Sequence, residues 1–290
     1  MRTVTRVALY AAAVGAVAGA AALAGAAVDP LRDADAMPPA HGEAAGHAPA
    51  DAAGHAEGAP PGLAVAAAGL VLEPETTRLP RDTPTEIVFR IRDAEGRPVT
   101  RFDMTHERRM HVIVVRRDLT GFQHLHPRMR PDGRWTVPVR LPAAGAYRMY
   151  ADFRSEGHDH TLAADLAVPG PFAPAALPPA RPEAADGPYR VTLRPEGLGD
   201  GGAAHLAFAV RREGRAVTDI APYLGADGHL VALREGDGAF LHVHPEEGDG
   251  TPGVIRFGAT FPSPGRYRLF LQFRHDGAVR TVAHTVEVPR

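Results

Sequence analysis

Two stretches of the 290-residue sequence end in the same histidine-x-histidine-proline pattern: FQHLHP, from Phe122, and FLHVHP, from Phe240. In an extended strand, alternate residues point to one face roughly 6.5–7 Å apart, so His124 and His126 project together, as do His242 and His244. Upstream, HVIVVR (His111–Arg116) is separated from FQHLH by RDLTG, a hairpin-turn pattern. An even-length loop, either Asp118–Gly121 or Leu119–Thr120, sets Ile113 opposite His126 and brings His111 onto the face of His124 and His126. An odd-length loop brings Met110 there instead. The preceding FDMTHERRMH adds Asp103, Met104, His106, Glu107 and Met110. Imidazole suits copper and zinc, and thioether favours Cu(I), so this ligand set expects copper before zinc.

Other chemistries are excluded by composition. There is no cysteine, which removes disulfides, zinc ribbons, blue-copper sites and thiol catalysis. There is no lysine, which removes Walker A loops and Schiff-base chemistry. The only serines, Ser155 and Ser263, do not stand in a G-x-S-x-G setting. A net charge of −2 lacks the basic footprint of a nucleic-acid binder.

The elements that must position the histidines come in two copies. Sliding the chain so that Phe122 falls on Phe240 aligns HVIVVRRDLTGFQHLHP with HLVALREGDGAFLHVHP without a gap, and GRPVT with GRAVT in the same register. GAYRMYADF and GRYRLFLQF match further on, after a short insertion. In the second copy Met110 becomes Gly228 and DMTHER has no sequence counterpart in DIAPYLGAD, so the first copy is the expected ordered site and His229, His242 and His244 a poorer second one. Apolar residues alternate with period two, as in Ile87, Phe89 and Ile91 or Tyr147, Met149, Ala151 and Phe153, and turn signals recur at short spacing. The expected fold is all-β: two tandem immunoglobulin-like antiparallel sandwiches, residues 63–169 and 187–290, joined by a Pro/Ala-rich linker, 170–186.

Ahead of them, Arg2 and Arg6 precede an uncharged run from Val7 to Val28, the pattern of an export signal. Residues 1–28 are read as a hydrophobic helix serving either as a cleaved signal peptide or as a membrane anchor, with everything after Asp29 outside the cytoplasm. Residues 29–62, rich in Ala, Gly and Pro with His41, His47 and His55, read as a disordered tether and a low-affinity metal collector. A further pair, His158 and His160, falls in an expected loop.

The stretch THERRMHVIVVRRDLTGFQHLHP, Thr105 to Pro127, resembles the motif THE+xMHxIVVxxDLxxFxHxHP of a family of exported bacterial proteins of undetermined role. The resemblance covers residues 63–290 and implies β-sandwich modules and an association with heavy-metal, particularly copper, handling. Copy two departs from it at the THE segment.

Three functions compete on these residues. The first is a non-catalytic extracytoplasmic metal-binding protein, with His106, Met110, His111, His124 and His126 as ligands in the first module and His229, His242 and His244 in the second. The second is a metal-free immunoglobulin-like interaction module. The third is a copper oxidase or monooxygenase, ranked last because it needs an open coordination position and a substrate cleft. Since both expected cores lie after Leu63, deletion of residues 1–28 should leave a soluble, folded protein; an insoluble product without a β-type circular dichroism spectrum would contradict that organisation.

Overall fold

The computed structural model describes residues 60–199, 202–241, 243–248 and 250–290. The signal or anchor segment 1–28, most of the tether 29–62, and His242 lie outside them. All of the regular structure in the described residues is β, and every strand pairing within the sheets is antiparallel.

The first module contains β1 (Ala66–Ala67), β2 (Leu70–Pro74), β3 (Thr85–Arg92), β4 (His111–Arg116), β5 (Gln123–Leu125), β6 (Arg128–Met129), β7 (Trp135–Val139), β8 (Gly145–Ser155) and β9 (His158–Val168). They form sheets ordered β1-β2-β3-β7-β6 and β5-β4-β8-β9, the arrangement of an immunoglobulin-like sandwich. The period-two residues close its core: Ile87, Phe89 and Ile91 of β3 and Trp135, Val137 and Val139 of β7 face Val112, Val114, Met149 and Phe153 of the other sheet. Trp135 meets Phe102 edge-on at 5.1 Å, a favoured aromatic geometry.

The second module repeats this plan with β10 (Glu183–Asp186), β11 (Tyr189–Glu196), β12 (Ala203–Arg212), β13 (Arg215–Ala216), β14 (His229–Arg234), β15 (Phe240–Leu241), β16 (Val243–Pro245), β17 (Val254–Thr260), β18 (Gly265–His275) and β19 (Ala278–Val288). Its sheets run β10-β11-β12-β17-β16, with β13 beside β12, and β15-β14-β18-β19. Part of the Pro/Ala-rich linker is therefore structured: Glu183–Asp186 pair with β11.

β4 and β14 are buried on both faces. Val112 and Val114, like Leu230 and Ala232, point into their own sandwich cores. Ile113 and Val115 point the other way, into a third cluster with Val231, Leu233, Phe240 and Phe270 of the second module. The β4–β8 sheet and the β14–β18 sheet thus pack against each other along a seam. Continuous apolar runs such as HVIVV and HLVAL are what a strand covered on both sides requires.

Phe122 and Phe270 stack across the seam with centroids 4.1 Å apart and planes 9° from parallel. The Tyr150 hydroxyl donates to the Gly238 carbonyl at 2.6 Å. A short strap ahead of β1 is held by both modules, for Gly62 N–H donates to the Thr161 carbonyl and Phe240 N–H to the Pro61 carbonyl. Gly62 has φ +74°, and a Cβ there would stand 2.8 Å from both Phe240 Cβ and a Tyr150 ring carbon, so glycine is required.

Truncating Phe270 to Ala should cost about 3 kcal/mol of stability through the cavity it leaves in the seam, read from the urea midpoint of the full chain. A loss well under 1 kcal/mol, the range of ordinary surface substitutions, would show that the seam contributes little to holding the modules together.

Candidate metal centre

The hairpin that carries the histidines is closed by Arg116 N–H donating to the Thr120 carbonyl, with Leu119 and Gly121 in left-handed conformation. Asp118 holds this turn. It accepts from Arg116 Nε at 2.9 Å, from the Thr120 hydroxyl at 2.7 Å and from Ala175 N–H at 2.9 Å. Burial works against its charge, yet these donors bring its carboxyl down to about 2.

The resulting register sets Ile113 opposite His124, two residues from the expected pairing with His126. A slip of two preserves parity, so His111 and His124 share one face, the seam face. His126 follows the last residue of β5, just before Pro127. One nitrogen from each of His111, His124 and His126 lies within 4.8 Å of the others. Ring centroids are 5.2 Å apart for His111–His124 and for His111–His126, and 4.8 Å for His124–His126.

Met110 is not among them. Adjacent to His111 and of opposite parity, it is 1% exposed inside the hydrophobic core of the first module. Met104 is exposed to solvent. The described cluster is therefore all imidazole, and the thioether argument for Cu(I) loses its basis.

His106 sits at the edge of the cluster, 6.1 Å from His111. Thr105 and Arg108 exchange backbone hydrogen bonds across it, and His106 and Glu107 occupy left-handed conformations at φ 49° and 60°. That is the two-residue turn usually given to Asn-Gly, here made with bulky side chains. Its backbone counterpart exists in the second module: Tyr223 and Ala226 pair across Leu224 and Gly225, both at positive φ. The turn is duplicated although its sequence is not.

His229, expected in a separate second site, instead joins the first group across the seam. Its ring lies 4.7 Å from His124 and 5.6 Å from both His111 and His106. His244 is exposed on β16, and His242 lies outside the described residues. His158 is exposed, and His160 stacks on Phe153 at 5.3 Å, both within β9 rather than a loop.

Two residues that the motif did not single out support the group. His124 Nδ1 is 2.7 Å from Gln272 Oε1, a hydrogen bond between the modules, and Gln272 Nε2 donates to Thr281 at 3.2 Å. The corresponding residues of the first module, Thr161 and Asp152, hydrogen bond at 2.7 Å, with Asp152 directly across from His111. The signal was a polar residue at the same place in both repeats, in YADF and LQF, where neighbours of the same strand are apolar.

These bonds fix the tautomers. A carbonyl only accepts, so His111 must present N–H at Nε2 to the Thr105 carbonyl, 3.0 Å away. His124 likewise presents N–H at Nδ1 to the Gln272 amide oxygen. The remaining nitrogens, His111 Nδ1 and His124 Nε2, face each other at 3.0 Å, and in neutral rings both carry lone pairs. His126 Nε2 is buried with no hydrogen-bond partner among the described residues. Only a proton or a metal cation satisfies such a pair, and a proton is disfavoured. Burial, then the neighbouring His111 and His126, lower His124 to about 3; burial, then His111, lower His126 to about 4. Burial also lowers His111, against the pull of the Thr105 carbonyl and the Asp152 charge. His229 is held well below its ordinary value by burial and then by His124 and His111.

A second group of metal-compatible residues, Asp219, His275 and Asp276, is already occupied by its own contacts. His275 bonds Tyr189 and Asp219, and Asp276 pairs with Arg212.

A family model described as a domain of unknown function, DUF8832, matches residues 67–170 and again residues 183–290. No curated protein matches the sequence. Among solved structures, the filamin domain of Lin-41 is 14% identical over 38% of this chain and 98% of its own, with a TM-score of 0.24. The Escherichia coli adhesin FdeC is 14% identical over 75% of this chain and 64% of its own, with a TM-score of 0.26. InvD of Yersinia pseudotuberculosis is 14% identical over 76% and 57%, with a TM-score of 0.25. At such scores these overlaps carry no argument; the sandwich assignment rests on the strand order above.

Histidines kept neutral in the fold take up protons more readily once unfolded, so stability is complete above pH 6.5 and falls as the pH drops toward the lowered values. His284 offers a test away from the cluster. It is 2% exposed, neither ring nitrogen has a hydrogen-bond partner of normal geometry among the described residues, and burial and the Arg268 charge, partly offset by the Arg181 backbone, lower it to about 4. His284→Leu should raise stability at pH 5 more than at pH 7 and flatten the slope between them in urea unfolding. An unchanged slope would mean that the ring costs the fold nothing in acid.

Proposed function

The chain belongs to the DUF8832 family, whose description leaves the role open, and from the site itself we propose an extracytoplasmic, non-catalytic metal-binding protein that holds a divalent copper or zinc ion through His111, His124 and His126. The observation that carries this reading is the pair of facing lone pairs on His111 and His124. Each ring donates its other N–H to a fixed oxygen, the outer support that metal-ligating histidines characteristically have. With metal–nitrogen bonds of roughly 2.0–2.1 Å at a tetrahedral angle, the nitrogens of one centre stand about 3.3 Å apart, close to the 3.0 Å found here. Asp152 supplies negative charge beside His111. An all-imidazole set suits Cu(II) and Zn(II), and copper remains first because it binds such donors more tightly. The extracytoplasmic assignment follows from the Arg-flanked apolar segment at Val7–Val28.

The test uses the full chain with His41, His47 and His55 changed to Ala, so that the tether contributes nothing. Copper or zinc at neutral pH should raise the melting temperature by an amount that grows with free metal. His124→Ala and His126→Ala should abolish most of that shift. Binding by exposed histidines ends as the pH falls below about 6.5, whereas the buried centre should keep its metal at pH 5, because its rings have little appetite for protons.

A metal-free interaction module is the second reading. It is favoured by the hydrogen bonds already present: His111 to Thr105 within the first module, and His124 to Gln272, which ties the seam together without an ion. A melting temperature indifferent to copper and zinc would establish it in place of the first.

A further inference from the structure

We propose that the centre is shared between the modules: His229, from the second sandwich, supplies a fourth imidazole to the cation held by His111, His124 and His126, so that loading the cation clasps the two sandwiches together. This rests on the three-histidine reading above and assigns it a partner and a consequence.

Geometry supports the assignment. Imidazoles bound tetrahedrally at roughly 2.0–2.1 Å place their ring centres about 5 Å from one another. The His229 ring lies 4.7 Å from His124 and 5.6 Å from His111, on either side of the 4.8–5.2 Å that separate the three first-module rings. His229 stacks on His111 with planes 12° apart and makes no ring hydrogen bond among the described residues. Its nitrogens stand outside the mutually close set formed by His111, His124 and His126, so the His229 ring has to turn toward that centre when the cation binds. His106, the other neighbouring ring, is half-buried, 5.6 Å from His229 and, at 6.1 Å, farther from His111 than His229 is.

The backbone explains why His229 arrives there. It opens β14 as His111 opens β4, and each stands across from the polar residue of the next strand, Gln272 and Asp152 respectively. Packing the two sheets face to face brings these strand starts together. Gln272 then reaches back to His124, so the second module already orients one ligand of the first. A cation at this point draws donors from both modules and ties its affinity to their docking. The linkage is reciprocal: whatever docks the modules tightens the metal, and the metal docks the modules.

The experiment uses the full chain with His41, His47 and His55 changed to Ala, with zinc and cobalt(II) salts as probes. His229→Ala should weaken zinc by more than the roughly tenfold to hundredfold that loss of an outer-sphere partner costs, and Gln272→Ala should fall within that range. The intense visible absorption of tetrahedral cobalt(II) should collapse in His229→Ala and in the more conservative His229→Gln. In the parent protein, hydrogen exchange should slow on adding zinc in β14 as well as in β4 and β5, a measurement that needs no substitution at the seam. If the parent binds zinc but both His229 variants match it in affinity and cobalt spectrum, or if protection is confined to the first module, the shared centre is overturned and the three-histidine centre stands. If the parent binds neither metal, the three-histidine reading fails and this inference falls with it.

Discussion

β4 and β14 have no solvent side, and this constraint organises the rest of the molecule. Each must be apolar inward to close its own sandwich and apolar outward to meet the other. Within each strand only the ends escape that demand. His111 and His229 stand at those ends, where the apolar seam gives way to polar contacts. Burial there strips imidazoles of their affinity for protons while leaving their lone pairs intact. The same packing that stacks Phe122 on Phe270 therefore converts a set of bases into a set of neutral donors.

Duplication supplied two equivalent frames, and divergence gave them different tasks. Both modules keep the tight turn ahead of β4 or β14, the strand-opening histidine, and a polar residue with a threonine partner on the neighbouring strands. In the first module the turn carries His106 and its Thr105 carbonyl fixes His111. In the second the turn carries Leu224 and Gly225, and the polar residue is an amide that reaches across to His124. The first copy presents three close rings, and the second adds His229 beside them and orients His124 through Gln272.

Much of this was legible because strand chemistry depends on parity rather than on absolute register. The hairpin between β4 and β5 pairs Ile113 with His124 rather than with His126, yet the faces of His111, His124 and His126 are unchanged by a shift of two. The same parity sends Met110 into the core, a consequence available from the sequence once the loop is known to be of even length. What periodicity cannot carry is the identity of whatever covers a strand's second face. HVIVV announces burial on both sides without naming a partner, so His229 reads as the start of a separate site. Gln272, 148 residues from His124, has no local signal beyond a polar letter in an apolar strand. Glu183–Asp186 become a strand through pairing with β11, despite a composition that reads as linker.

The strap at Pro61–Leu63 has a mechanical consequence. Its carbonyls and amides are bonded to Thr161 and Arg148 of one sandwich and to Phe240 of the other. A pull transmitted along the chain from its N-terminal side arrives first at the junction of the two bodies, ahead of β1 and β2. The load is divided between both sandwiches through the strap's hydrogen bonds instead of falling on an edge strand alone. Gly62, which admits no side chain between Tyr150 and Phe240, is the point at which that force enters the fold.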